Sequence, residues 1–254
     1  MTRGVDVEVS ARGIATILLN RPERSNAIDQ ATLDELARQF TSLAADERAR
    51  VVVLRGTGKH FCAGADLVAR ASAPEPSAAQ TTIVDMLAAL DRLPKPTVAA
   101  VHGAAIGAGA ALAACCDVVV AADSAFFSIP EVRIGMAPLG VTPFVIRAIG
   151  HRSFRRYGLS GERFGAAEAL RVGLAHEVIA AEQLDAKIAE VVDALLHGAP
   201  SAQRTLKDGM ERFVGPTVAE IVAARPSHGS TRTPEALEGI SSFKEKRKPS
   251  WYPQ

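Results

Sequence analysis

The sequence predicts an α/β fold that gives way to a helical tail. Three observations support this. Strand-like and helix-like segments alternate as far as Gly140. Beyond Gly140 the spacing of apolar residues is helical almost throughout. Of the 254 residues, 48% are apolar, enough to bury a large core in one domain or in a domain with a small appendage.

Ile14–Leu19 is a strand, ended by Asn20-Arg21-Pro22, because proline cannot donate to a ladder. Thr32–Leu43 carries the apolar spacing of a helix. Val51–Leu54 is apolar at every position, as in a strand buried on both faces, and Gly56 and Gly58 close it. Residues 71–79, made of Ala, Ser, Pro and Glu, are expected to be a mobile loop. Ile83–Leu93 is a helix stopped by Pro94 and Pro96. Thr97–Val101, Val118–Ala122 and Ala125–Ser128 are further strands. In the tail, helices are expected at 142–149, 152–159, 166–171, 181–197, 201–213, 217–224 and 234–246. One short strand, Glu177–Ile179, interrupts them, and 225–233 is expected as a hinge.

Bulk properties exclude several functions. A net charge of +1 gives a nucleic-acid partner no electrostatic support. Thr97–Cys116 lacks charged residues and is as long as a membrane span. It is mostly Ala and Gly, however, contains His102 and follows two prolines, so a strand, a glycine turn and a buried helix explain it better. Cys62, Cys115 and Cys116 form no CxxC pair and no even disulfide framework. With no apolar signal core in the first nine residues, the expectation is a cytoplasmic chain. His60, His102, His151 and His176 have no metal-ligand spacing, and no metal or redox cofactor is expected.

Two glycine-rich segments carry the chemistry. In Phe61-Cys62-Ala63-Gly64-Ala65-Asp66-Leu67, Gly64 allows backbone geometry that other residues resist, and Asp66 is placed to cap a helix over Leu67–Arg70. Such a turn can present the N–H of Ala63 or Gly64, although by itself it is an ordinary capped turn. The second segment is Gly103–Gly109. Its glycines match a dinucleotide loop only weakly, since no acidic ribose ligand follows at the end of a second strand. The other use of such a loop is a helix N-terminus whose free N–H groups bind an oxyanion, Ala108 giving one bond and Ala63 the other. Glu131, after Ser128-Ile129-Pro130, could then move a proton. Alone, a Pro-Glu step would be a solvated turn charge or a carboxylate paired with Arg133.

In order along the chain, Leu19-Asn20-Arg21-Pro22, Asn26-Ala27-Ile28, Phe61–Asp66, Val101–Gly109, Cys116-Asp117, Pro130-Glu131 and Phe243–Arg247 resemble the crotonase superfamily of enoyl-CoA hydratases and isomerases. The resemblance spans nearly the whole chain. It implies a crotonase-like superhelix of stacked ββα turns over 1–195 and a helical trimerisation region over 196–254. It further implies an acyl-CoA substrate and a homotrimer or dimer of trimers. By position, Ala63 and Ala108 match the oxyanion-hole donors and Glu131 the general acid/base. Arg24, Ala63, Ala65, Asp66 and Leu67 match the coenzyme A surface. Lys246 and Arg247 are matched to its phosphates.

The sequence departs from the familiar hydratases at Ala111, where their second glutamate stands. One carboxylate suffices for a proton shuttle, which would make a delta-3/delta-2 enoyl-CoA isomerase. A chain with half of the pair could also be a catalytically weak acyl-CoA binder. The stretch Glu131–Gly140, with Thr142-Pro143-Phe144 and Arg155-Arg156-Tyr157, is similar to methylglutaconyl-CoA-type hydratases, a subgroup that often lacks that glutamate too. The resemblance therefore favours an enoyl-CoA hydratase. Met86, Met136, Leu139 and Phe144 are expected to line the acyl pocket, and Arg133 or Arg155 is a candidate for a substrate carboxylate.

Overall fold

A computed structural model describes residues 4–72, 80–210, 220, 223 and 234–250. Its main sheet has six strands in the order β1-β2-β3-β4-β6-β9: β1 Val5–Val9, β2 Ile14–Leu19, β3 Val51–Gly56, β4 Thr97–Val101, β6 Val118–Ala122 and β9 Glu177–Ile179. Only the β1–β2 pair is antiparallel. A second sheet, β5-β7-β8, holds β5 Ala104–Ile106, β7 Phe126–Ser128 and β8 Phe164–Gly165. The chain steps from main sheet to small sheet to helix and repeats the step. β4 leads to β5 and then α4 (Ala108–Ala114), and β6 leads to β7 and then α5 (Thr142–Ser160). β3 makes the same step, with Cys62 bridging to Ala105 of β5 in place of a full strand. This is the stacked ββα arrangement that the resemblance implied.

The alternating faces of β3, β4 and β6 explain why these strands are apolar throughout. Val51, Val53, Val98, Ala100 and Val120 pack against Leu184, Ile188 and Val192 of α7 (Leu184–Leu196). Val52, Leu54, Ala99, Val101, Val119 and Ala121 face the larger core on the other side. There they share the interior with Leu36 and Phe40 of α1 (Gln30–Ala45) and Met86, Leu87 and Leu90 of α3 (Ile83–Asp91). Asp29 caps α1 by accepting the Thr32 N–H at 2.8 Å. Thr82 and Asp85 form a reciprocal capping box on α3.

The elements expected from periodicity are present with small changes of boundary. The two helices expected at 142–149 and 152–159 are joined in α5, with Gly150 at φ +73° marking the kink between them. Strands β1, β5 and the two-residue β8 do not follow from periodicity. β1 is an edge strand with one buried residue, and β5 is three residues long inside the glycine-rich stretch. The remaining helices are α2 (Leu67–Ser72), α6 (Ala166–Val172), α8 (Pro200–Met210) and α9 (Pro234–Lys244). Most of the expected loop at 71–79, most of the helix at 217–224 and the hinge at 225–233 lie outside the described residues. Among the described residues no helix is long and apolar enough to cross a membrane. Thr97–Cys116 folds instead as β4, β5 and α4.

Candidate active site

The small strand β5 assembles the site. Along one edge it meets the 61–66 loop: Cys62 N–H donates to Ala104 O at 3.0 Å, and Ile106 N–H to Cys62 O at 2.9 Å. Along the other edge it pairs with β7 in register Ile106↔Ser128, and Gly107 N–H donates to Ser128 O at 2.8 Å. Both glycine-rich segments and the segment before Glu131 thus converge just past Ile106. Contacts there are too close for side chains. A Cβ on Gly64 would stand 2.7 Å from Ile106 O and 3.7 Å from Ala108 N, and one on Gly107 would collide with Oε1 of Glu131. Gly64 and Gly107 also hold φ of +89° and +53°, a region that penalises other residues.

Both glycine-rich segments bring backbone N–H groups without an acceptor among the described residues to this convergence. The first is that of Ala108, which opens α4 ahead of Gly109 and Ala110, since the first bond inside that helix runs from Ala111 N–H to Gly107 O. The second corrects the sequence reading. Ala63 is not a free donor, because its N–H bonds to Ser25 O at 3.0 Å. The Gly64 N–H is directed at the Cys62 thiol. Asp66 N–H bonds to Ile28 O at 2.8 Å. The N–H left over in the loop is that of Ala65, an exposed residue. The bonds made by its neighbours single it out, and a sequence does not show which amides of a turn are already bonded.

Glu131 opens a short 3-10 turn, Glu131–Ile134. Arg133 does not pair with it: Arg133 Nε donates to Ser160 O at 2.8 Å. Glu131 Oε2 is shut off from solvent with no partner among the described residues. Burial pushes the carboxyl up to about 7, only partly offset by its own backbone N–H. Such a group can both take and give a proton near neutral pH. Ala111, where a second carboxylate was missed, is fully buried on α4 one turn beyond Ala108.

The other candidates divide cleanly. Asp66 caps α2 through Ala69 N–H at 3.1 Å and pairs with Arg21 at 3.2 Å, so its carboxylate is already engaged. Arg24, Ala65 and Lys246 are exposed and Leu67 is half-buried. Arg247 is tied to Glu238 and Glu245, which occupies the cation expected at a phosphate. Cys62 is buried and its thiol is pushed up to about 12, so it is no nucleophile. His60 accepts the Ala104 N–H and His176 that of Val119, both structural bonds. Asp117 accepts from the N–H and hydroxyl of Thr97. Met86, Met136 and Phe144 are buried, while Leu139 is exposed.

A protein-family model described as Enoyl-CoA hydratase/isomerase matches residues 10–254. The chain belongs to the enoyl-CoA hydratase/isomerase family. It is 33% identical to the mevalonyl-coenzyme A hydratase sidH of Aspergillus fumigatus over 94% of this chain and 92% of that one. It is 32% identical to a probable enoyl-CoA hydratase, echA8, of Mycobacterium tuberculosis over 94% of each. The crystal structure of an enoyl-CoA hydratase from Mycobacterium avium subsp. paratuberculosis superposes with TM-score 0.83 at 28% identity, covering 98% of this chain and 99% of that one. One from Mycobacterium smegmatis gives 0.78 at 32%, covering 98% of each. The fold of this enoyl-CoA hydratase/isomerase family member is therefore the crotonase fold that its motifs implied.

Proposed function

We propose that the protein is an enoyl-CoA hydratase that adds water across the conjugated double bond of a 2-enoyl-CoA thioester. The observation that carries this reading is the buried Glu131 carboxyl packed against Gly107, its Oε2 without a partner among the described residues, where the free amides of Ala65 and Ala108 converge. The N–H groups of Ala65 and Ala108 hold the thioester oxygen. Glu131, as carboxylate, takes a proton from water while the hydroxyl oxygen bonds to C3. The electron pair of the double bond moves towards the thioester oxygen, giving an enolate that the two amides stabilise. Glu131 then returns its proton to C2. One carboxylate suffices, because the proton it removes from water is the proton it delivers to carbon. The names of the relatives, hydratases of CoA thioesters, support the same reading. The exposed Arg24, Ala65 and Lys246 belong to the proposed coenzyme A surface. The chain is further proposed to work as a homotrimer, assembled through the helices after residue 195.

Replacing Glu131 by Gln tests the assignment. Turnover should fall roughly a hundred- to ten-thousand-fold, the range for a lost acid–base group, with acyl-CoA binding retained. Unchanged turnover would overturn the role of Glu131. Supplying 2-enoyl-CoA and 3-enoyl-CoA separately distinguishes the reactions: a hydratase consumes the conjugated thioester, whereas an isomerase produces it from the 3-enoyl form.

A further inference from the structure

We propose that Asn26 is a positioning residue for the oxyanion site: it holds the 60–66 loop so that the Ala65 N–H, and not that of Ala63, faces the substrate. The proposal rests on the hydratase reading above and adds a residue to it that touches neither substrate nor reacting atoms.

Asn26 is 2% exposed, and its side chain is fully committed. Oδ1 accepts the Arg21 N–H at 2.9 Å, while Nδ2 donates to Thr57 O at 2.8 Å and to His60 O at 2.7 Å. Three segments are thereby joined by one amide: the turn it sits in, the start of the loop after β3, and the residue before Phe61. Gly56 leaves the room for this, because a Cβ there would meet Asn26 Nδ2 at 2.8 Å and the carbonyls of His60 and Phe61 more closely still.

The backbone around Asn26 does the rest. Ser25 and Asn26 both sit in the left-handed region, at φ +52° and +56°. Two adjacent non-glycine residues hold that conformation only where the surroundings over-determine it. The pair turns Ser25 O towards Ala63 N–H, and Ile28 follows with two bonds, its N–H to Gly64 O at 2.7 Å and its carbonyl from Asp66 N–H at 2.8 Å. In a regular strand the N–H groups of residues 63 and 65 would share a side. Gly64 at φ +89° breaks that alternation, so residues 63 and 66 face the template and residue 65 faces away. The free donor is thus selected by the 25–28 segment, which Asn26 anchors.

Asn26→Asp keeps the size and Oδ1 but loses both Nδ2 donors. Asn26→Gly keeps the left-handed freedom but loses the side chain. Both should lower kcat by about tenfold to a hundredfold with little change in KM, because a misplaced donor weakens transition-state stabilisation more than ground-state binding. A conjugated 2,4-dienoyl-CoA supplies a spectroscopic readout. Its absorption should shift to the red on binding wild type, as the thioester carbonyl is polarised, and the shift should shrink in both Asn26 variants. Glu131→Gln should retain the shift while losing turnover. Folded Asn26 variants with wild-type kcat and an undiminished red shift would overturn the proposal alone. A wild-type protein that neither hydrates enoyl-CoA nor shifts the probe would overturn the hydratase reading and this proposal with it. Should neither variant fold, amide exchange in wild type decides. Ala63 should exchange slowly, and Ala65 fast until the dienoyl-CoA binds. Equal protection of the two amides in the free protein would refute the selection.

Discussion

Glu131 is a liability to the folded chain, and the liability is pH-dependent. Its ordinary value is 4.5, and burial raises it to about 7. Between those values the folded state holds a proton that the unfolded state has released. Stability therefore falls as pH rises through this window and levels off above about pH 7. Glu131→Gln removes the ionisable group, so relative to wild type it should gain stability between pH 5 and pH 8, on the order of 3 kcal/mol. Denaturant titrations at the two pH values check this, and an equal difference at both would show that the carboxyl is not desolvated. The same group sets activity. Hydration begins from the carboxylate, so kcat/KM should rise with pH through about 7. At this scale the resemblance pointed to Glu131 and Ala108, and the structure brings both to the meeting point of the two glycine-rich segments. It also pointed to Ala63, whose N–H is already bonded to Ser25 O, whereas that of Ala65 has no acceptor among the described residues. Ala63 and Ala65 are chemically identical, and only the acceptor on Ser25 tells them apart.

The elements around the site are joined by close backbone contacts more than by side chains. α9 packs on the 3-10 turn that carries Glu131. A Cβ on its Gly239 would stand 2.5 to 2.6 Å from the Ile134 backbone, and one on Gly135 would stand 2.7 Å from Glu235. Buried Ala236 and Ile240 lie on the same helix. Gly239→Val should therefore push α9 off the turn, lowering the melting temperature and kcat together. Stability should drop by about 1–3 kcal/mol, as for overpacking. Thermal melts with steady-state rates on the same samples would show it, and unchanged values would mean the contact is dispensable. Periodicity over long segments made α1, α3, β3, β4, β6 and α7 legible. β5 was not, because its Ala104-Ala105-Ile106 is too short to have a period and is surrounded by glycine. Its pairing with Cys62 and β7 is non-local, and that pairing brings the site together.

At the scale of the whole molecule, the site lies beyond the ends of β3 and β4, where parallel strands deliver their loops. The central strands β3, β4 and β6 are buried on both faces by helices of the same chain. The helices of the tail are a different case. Leu206 is 62% exposed on α8, and Leu237 and Phe243 are 56% and 62% exposed on α9. Single exposed apolar residues are ordinary, but large ones gathered on the elements farthest along the chain fit a surface that a second copy covers. The proposed trimer would bury them. Sedimentation equilibrium should then give three times the chain mass of 26.7 kDa, or six times for paired trimers. Leu206→Asp combined with Phe243→Asp should shift the mass towards one chain, because desolvating two carboxylates in an apolar interface is unfavourable. If α9 braces the Glu131 turn best when the tail is covered by its neighbours, dissociation should also lower kcat. A wild-type protein that sediments as a single chain at full activity would refute the assembly and leave the chemistry of Glu131 standing.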